Sequence, residues 1–351
     1  MIRTLPAARL AALVEAIMRG AGCNADDAHT VAARLVDANC AGHESHGVIR
    51  VAKYLDWVRD GTLVPNAAPT LVVDAPAFAI VDGQRGFGQV IGEYATRLGI
   101  AKAKDSGIAM IGLRNCGHLG RVGDWAEMAA DEGIVSLHFL NTSGAQRVAP
   151  FGGSDRRLST NPISIGVPVD GGDPVIVDLT TSTVAEGKLM VAMNKGERVP
   201  EGWIIDRDGA PTTDPRAFYD GGALLTIGAH KGSALSIVTD LLAGAVTTGR
   251  SSDPTDTVLR NNMLSIYISP AVYAPDGSVL REAKRLVEWV KASPALTPDA
   301  PVLAPGDIER RTRAERTRTG VPVDDKTWVD LLDAAQSVGI DRERAEALVA
   351  D

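Results

Sequence analysis

The chain has 351 residues, 45% hydrophobic and 23% charged, which is the composition of an average soluble globular protein and excludes disordered, collagen-like and disulfide-rich classes. Its 36 Lys and Arg stand against 44 Asp and Glu, a net charge of −8 that disfavours nucleic acid and anionic membranes and points to a small-molecule ligand. The length suggests about two domains.

The run from Ala7 to Met18 is apolar, but Arg9, Glu15 and Arg19 interrupt it. Leu10, Leu13, Val14 and Ile17 recur at helical spacing, so it reads as an amphipathic helix rather than a signal peptide. Further helices are predicted from Asp26 to Asn39 and from Val48 to Asp60, with Gly61 and Pro65 as stops. From Thr70 the texture changes. β-type runs at 70–73, 78–81, 108–113, 134–140, 163–168 and 175–179 alternate with helical stretches at 89–104 and 124–131. Helices at 231–242 and 278–291 flank a strand-like segment at 264–269. After the Pro-rich stretch 293–305 the chain reads as wholly helical, a tail that returns to the N-terminal helices. No stretch approaches the ~18 uninterrupted apolar residues of a membrane span, and Cys23, Cys40 and Cys116 show no metal or redox spacing, so a soluble cytoplasmic protein is expected.

Gly86-Phe87-Gly88-Gln89-Val90-Ile91-Gly92 imitates a dinucleotide fingerprint, but its spacing is off by one and no acidic residue ends a second strand at the expected distance. Gly42-His43-Glu44-Ser45-His46-Gly47 places two of the six histidines, a carboxylate and a hydroxyl just before a helix. Three uses stay open there: proton exchange by His46 assisted by Ser45, with Arg50 clamping an anion; capping by Ser45; or a metal held by His43, Glu44 and His46. Asn115 to Gly123 brings glycines, His118 and Arg121 to the start of a helix, as an anion site or a glycine-permitted turn. Thr160-Asn161-Pro162 is a turn that holds polar groups, and Asp178 ends a strand, where it can meet a ribose or cap the next helix. Lys231 opens a helix against the dipole, which an anionic ligand would offset. Five arginines against two glutamates from Glu309 to Arg318 make a solvated basic face or a phosphate clamp.

In this order, Ser45-His46-Gly47 with Arg50 and Tyr54, His118-Leu119-Gly120, Thr160-Asn161-Pro162, Asp178 with Ser182, Lys231-Gly232, and Pro305-Gly306 before the arginine helix resemble the malate/L-lactate dehydrogenase family of non-Rossmann enzymes. The motif from Gly120 to Glu127, His230-Lys231-Gly232 and 313–316 are most similar to its bacterial hydroxycarboxylate dehydrogenase B subgroup. The resemblance implies an α+β fold with a mostly antiparallel sheet domain and a helical domain built from both chain ends. The expected boundaries are 1–72 helical, 73–292 mixed and cofactor-binding, and 293–351 helical. It further implies a homodimeric oxidoreductase that uses NAD or NADP to interconvert 2-hydroxy and 2-oxo acids, without metal, nucleic acid or membrane partners. By position, His46 exchanges the proton beside Ser45, and Arg50, His118 and Thr160 meet the substrate. The cofactor meets His46, Gly120, Arg121, Val122, Asp178, Leu179, Thr180, Lys231, Asn261, Arg311 and Arg313. Ser159, Thr180 and Ser233 depart from the usual glycine, alanine and aromatic, and Arg50 departs from the nearest subgroup towards the malate-like branch, which bears on substrate size and cofactor preference. A cyclic imine reductase of the same family and a nucleotide-binding protein without turnover are the competing readings.

Overall fold

The structure is a computed structural model and describes residues 2–297 and 299–350. The N-terminal third holds β1 (Ile2–Leu5), α1 (Ala7–Gly20), α2 (Ala25–Cys40) and α3 (Val51–Arg59). The middle adds β2 (Thr70–Ala75), β3 (Phe78–Asp82), α4 (Gly88–Ser106), β4 (Ile108–Cys116), α5 (Gly123–Asp131), β5 (Val135–Ser143), β6 (Ile163–Val169) and β7 (Gly172–Leu179). An excursion of α6 (Glu186–Lys195), β8 (Ile204–Ile205), β9 (Pro211–Thr212), α7 (Pro215–Tyr219) and β10 (Ala223–Leu224) leads to α8 (His230–Asp240) and β11 (Arg260–Ile268). Then come α9 (Pro270–Tyr273), α10 (Ser278–Lys291), α11 (Asp307–Thr319), β12 (Val321–Asp324), α12 (Asp325–Ser337) and α13 (Arg342–Val349).

The apolar stripe of α1 is buried in full: Leu10, Leu13, Val14, Ile17 and Met18 share one core with Leu35 of α2, Tyr54 of α3 and Trp328, Leu331, Leu332 and Ala345 of the tail. Side-chain caps fix where these helices start. Asn24 accepts from Asp27 N at 2.8 Å before α2, and Asp324 from Thr327 N at 3.0 Å before α12. The tail thus returns to the N-terminal helices, but it is not wholly helical: β12 pairs antiparallel with β1, from Ile2 opposite Asp324 to Leu5 opposite Val321. Each strand has four residues and owes its form to the other, so neither carries a local signal.

The main sheet has the order β2-β3-β4-β11-β5-β6-β7. Every neighbouring pair is antiparallel except β3 and β4, which are parallel and joined by α4. The glycines that imitate a dinucleotide fingerprint lie at this single crossover and serve close packing. A Cβ at Gly88 would overlap the His118 carbonyl, and one at Gly92 would overlap the Trp125 ring. The fold is α+β and not a doubly wound dinucleotide fold. β11 begins at Arg260, four residues before the apolar run, because Asn261 and Asn262 are buried polar strand residues with side-chain partners. α8 passes after Asp240 into a π-helical turn, Leu241–Val246.

Candidate active site

The His46 loop lies between α2 and α3 as two short 3-10 turns, Glu44–His46 and Val48–Arg50. Buried Asn39 at the end of α2 anchors it, accepting from Val48 N at 2.8 Å, and a Cβ at Gly47 would overlap that amide. Ser45 does not cap a helix. Its Oγ meets His46 Nδ1 at 2.9 Å, which orients the ring and leaves Nε2 without a partner among the described residues. Arg50 Nε donates to Ser45 O at 2.6 Å, so its stem is fixed while both Nη groups stay unpaired among those residues. His43 and Glu44 turn instead to α11: His43 Nε2 lies 3.4 Å from Glu309, and Glu44 pairs with Arg316 at 2.6 Å. The donors of a His43, Glu44 and His46 metal site do not converge.

The second histidine arrives from β4. His118 stacks on His46 with ring centroids 5.5 Å apart and planes 15° from parallel. Its Nδ1 meets the Tyr54 hydroxyl at 2.7 Å, and that hydroxyl accepts from Gln89 Nε2 at 2.8 Å. Since the Tyr54 oxygen accepts from Gln89, its own proton goes to His118 Nδ1. Burial, then the charges of Arg50, His43 and Arg121, push His46 down to about 3. Burial, Arg50 and His46 hold His118 well below the usual imidazole range. Both rings are neutral at rest. Gln89 Oε1 is buried without a partner, an acceptor left open at the end of this chain. Cys116 is fully buried and its thiol is pushed up by burial, so it packs rather than reacts.

The expected cofactor residues fall into two groups. Gly120 is left-handed with φ 75° and Val122 is buried. Asp178 Oδ2 accepts from Gly123 N at 3.0 Å, so it caps α5, and burial raises its carboxyl. The Thr160 carbonyl accepts from Thr180 Oγ1 at 2.8 Å, tying those two segments together, while Leu179 is exposed beside them. Lys231 and Arg311 are exposed and have no ion pair among the described residues. The others are engaged by the protein itself. Arg121 is buried, donating to Asp124 at 3.0 Å and Glu127 at 2.8 Å, with Asp178 3.8 Å from its Nε. Arg313 grips Asp37 with two bonds of 2.9 Å and also reaches Glu127. Asn261 accepts from Leu119 N at 2.8 Å and donates to Thr142 at 2.9 Å, which tethers the His118 loop to β11. The arginine helix is therefore largely a clasp, with Arg310 on the Pro174 carbonyl, Arg313 on Asp37 and Arg316 on Glu44.

Sequence reasoning passed over Gln89 and Asn39 as supporting residues; the available signal was a polar side chain on the inward face of each helix. In sequence Tyr54 stands out only as part of the Ser45-His46-Gly47 motif.

The malate/L-lactate dehydrogenase family profile matches residues 5–332. This chain belongs to that family. It is 40% identical to hydroxycarboxylate dehydrogenase B of Escherichia coli K12 over 346 residues, covering 96% of this chain and 95% of that one. Among solved structures, an E. coli malate/lactate dehydrogenase superposes with a TM-score of 0.94 at 38% identity, covering 99% of this chain and 98% of that one. The delta1-piperideine-2-carboxylate reductase of Pseudomonas syringae gives 0.85 at 31% identity, covering 95% and 100%. Membership makes the protein an oxidoreductase.

Proposed function

We propose that the protein interconverts a 2-hydroxycarboxylate and a 2-oxocarboxylate with NAD or NADP, His46 exchanging the proton. The observation that carries this is a neutral His46 oriented by Ser45, four residues before an arginine whose Nη fork is unpaired. The fork suits a carboxylate, since guanidinium binds it through two parallel bonds. With the carboxylate on Arg50, a hydroxyl on the adjacent carbon comes within reach of His46 Nε2, which takes its proton in oxidation and returns it in reduction. Thr160 and His118 shape the rest of the pocket, and Ser45 steadies the imidazolium that forms.

The residues fit a nicotinamide dinucleotide. Gln89 Oε1 is an unpaired buried acceptor for an amide, Asp178 retains one free carboxylate oxygen for a hydroxyl, and Lys231 and Arg311 are unpaired cations for phosphates. When bound, that group supplies the hydride acceptor or donor. Gly120, Val122, Leu179 and Thr180 would line the path between these ends, with Arg121, Asn261 and Arg313 acting through the loops they hold.

The same proposal places the protein in the cytoplasm, with helical segments 1–72 and 293–351 forming one unit around the mixed domain 73–292. A homodimer would cover the apolar run of Leu235, Val238, Leu241 and Val246, which is exposed here. The similarity to a piperideine-carboxylate reductase favours a second reading, reduction of a cyclic imine by the same residues.

The deciding assay is loss of reduced-nicotinamide absorbance with NADH and with NADPH against 2-oxo acids and cyclic imines, with His46→Ala in parallel. Turnover of a 2-oxo acid that vanishes in the variant supports the proposal, and turnover of imines alone supports the second reading. A dead panel with tight cofactor binding leaves a nucleotide-binding protein without turnover.

A further inference from the structure

A polar cleft opens where β3, β4 and β5 end and β11 begins, with a volume of about 540 Å³. Arg114, Arg250, Arg260, Asp82, Ser143 and Asn262 line it, and none of them belongs to the candidate active site. Three arginines line it against one carboxylate in a protein whose net charge is −8. That carboxylate is already used. Asp82 accepts from Arg114 Nε at 3.0 Å on one oxygen and from Gln84 N and Asn115 Nδ2, each at 3.0 Å, on the other. Arg260 reaches Asp256 only at 3.4 Å. Arg250 has no side-chain partner among the described residues, yet its backbone is pinned, since its carbonyl accepts from Asn141 at 2.8 Å and Asn262 at 3.1 Å.

Beneath these cations Ser143 is 0% exposed and its Oγ has no hydrogen-bond partner. It sits directly opposite Arg260 in the β5 and β11 pairing. An unpaired buried hydroxyl is unfavourable unless something accepts from it. The loop is also shaped for this arrangement: Thr248 is left-handed with φ 59°, and a Cβ at Gly249 would overlap Asn262.

We propose that this cleft is a second binding site, for a small oxyanion held by Arg250 and Arg260 and accepting the Ser143 hydroxyl proton. Guanidinium forks and a buried hydroxyl suit phosphate and carboxylate heads alike. The site lies next to the His118 loop, because Asn262 Oδ1 accepts from Asn115 N at 3.0 Å while its neighbour Asn261 holds Leu119.

The test is calorimetric titration of the full-length protein with inorganic phosphate and, separately, malonate. These two arms distinguish a phosphate ester from a carboxylate as the source. Arg250→Ala and Ser143→Ala should each weaken binding at least about tenfold, the loss expected for one charge-assisted bond. Ser143→Ala should leave the melting temperature of the anion-free protein unchanged or higher, since no existing bond is lost. Arg50→Gln should retain the binding. Absence of saturable binding by both anions, or binding lost in Arg50→Gln and kept in Arg250→Ala, would overturn the proposal. So would a flat titration with Arg250→Ala shifting the protein from dimer to monomer, because the cleft would then hold a second copy of the chain.

Discussion

His46 and His118 stack face to face, 5.5 Å between centroids, and both are held neutral by burial and by the charge of Arg50. A ring pushed down to about 3 is a base that is ready throughout the neutral range and an acid that is scarce there. Oxidation of the hydroxy acid should therefore show no acid limb near pH 6.5, whereas reduction should lose about tenfold in kcat/KM per unit rise in pH between 5 and 8. His46→Ala should lose roughly 10²- to 10⁴-fold in kcat in either direction. A reductive profile that is flat across that range would sink the assignment of His46 as proton donor.

Arg50→Lys keeps the charge and removes the fork. The expected result is a rise of about tenfold or more in KM for the 2-oxo acid with a smaller change in kcat, since two parallel bonds become one. An unchanged KM would show that the carboxylate is held elsewhere.

Tyr54→Phe removes the proton that His118 accepts and leaves Gln89 Nε2 unpaired inside the protein. Chemical denaturation should report a loss of about 1–3 kcal/mol, and kcat/KM should fall with it because the His118 ring loses its orientation. Full activity would mean that packing alone aligns the ring.

A third histidine gives a stability signature separate from activity. His138 is buried between Ser136 and Ser265, bonded at 3.0 and 2.9 Å, and burial pushes it down to about 3. The unfolded chain takes up this proton below pH ~6.5 and the folded chain does not, so stability falls as pH drops below that value. Relative to His138→Asn, the wild type should lose up to ~1.4 kcal/mol more per pH unit between 6.5 and about 3. Urea denaturation at pH 7, 6 and 5 checks it; parallel pH dependences would refute it.

Gly88→Ala tests the packing that sets His118. The added methyl meets the His118 carbonyl, so the loop must move or α4 must shift. Activity should fall by more than the melting temperature suggests. A variant with wild-type kinetics would mean that the loop position is not critical.

Much of this architecture could be read from residue spacing because α1, α2, α3 and α4 carry their own apolar periodicity and breakers. Ser45, His46 and Arg50 were legible for a similar reason, lying within six residues of one another. The β1 and β12 ribbon was not, since two four-residue strands more than 300 positions apart define each other only once folded. Arg121 illustrates the same limit within the site. In sequence it is a cation in a glycine-rich loop; in the structure Asp124 and Glu127 take its donors, while Asp178, on a strand over fifty residues away, faces its Nε. The arginine helix misleads likewise, because the carboxylates that neutralise Arg313 and Arg316 come from α2 and the His46 loop.

That clasp sets an order of events during synthesis. Arg316 bonds the Asn39 carbonyl across 277 positions, and Glu309 meets His43 across 266. The segment with His46 and Arg50 leaves the ribosome well before its brackets on α11, which follow 266 and 277 positions later. A nascent chain that stalls before residue 307 carries the candidate site's side chains without the helix that steadies them, so incomplete translation products should be inert rather than half-competent.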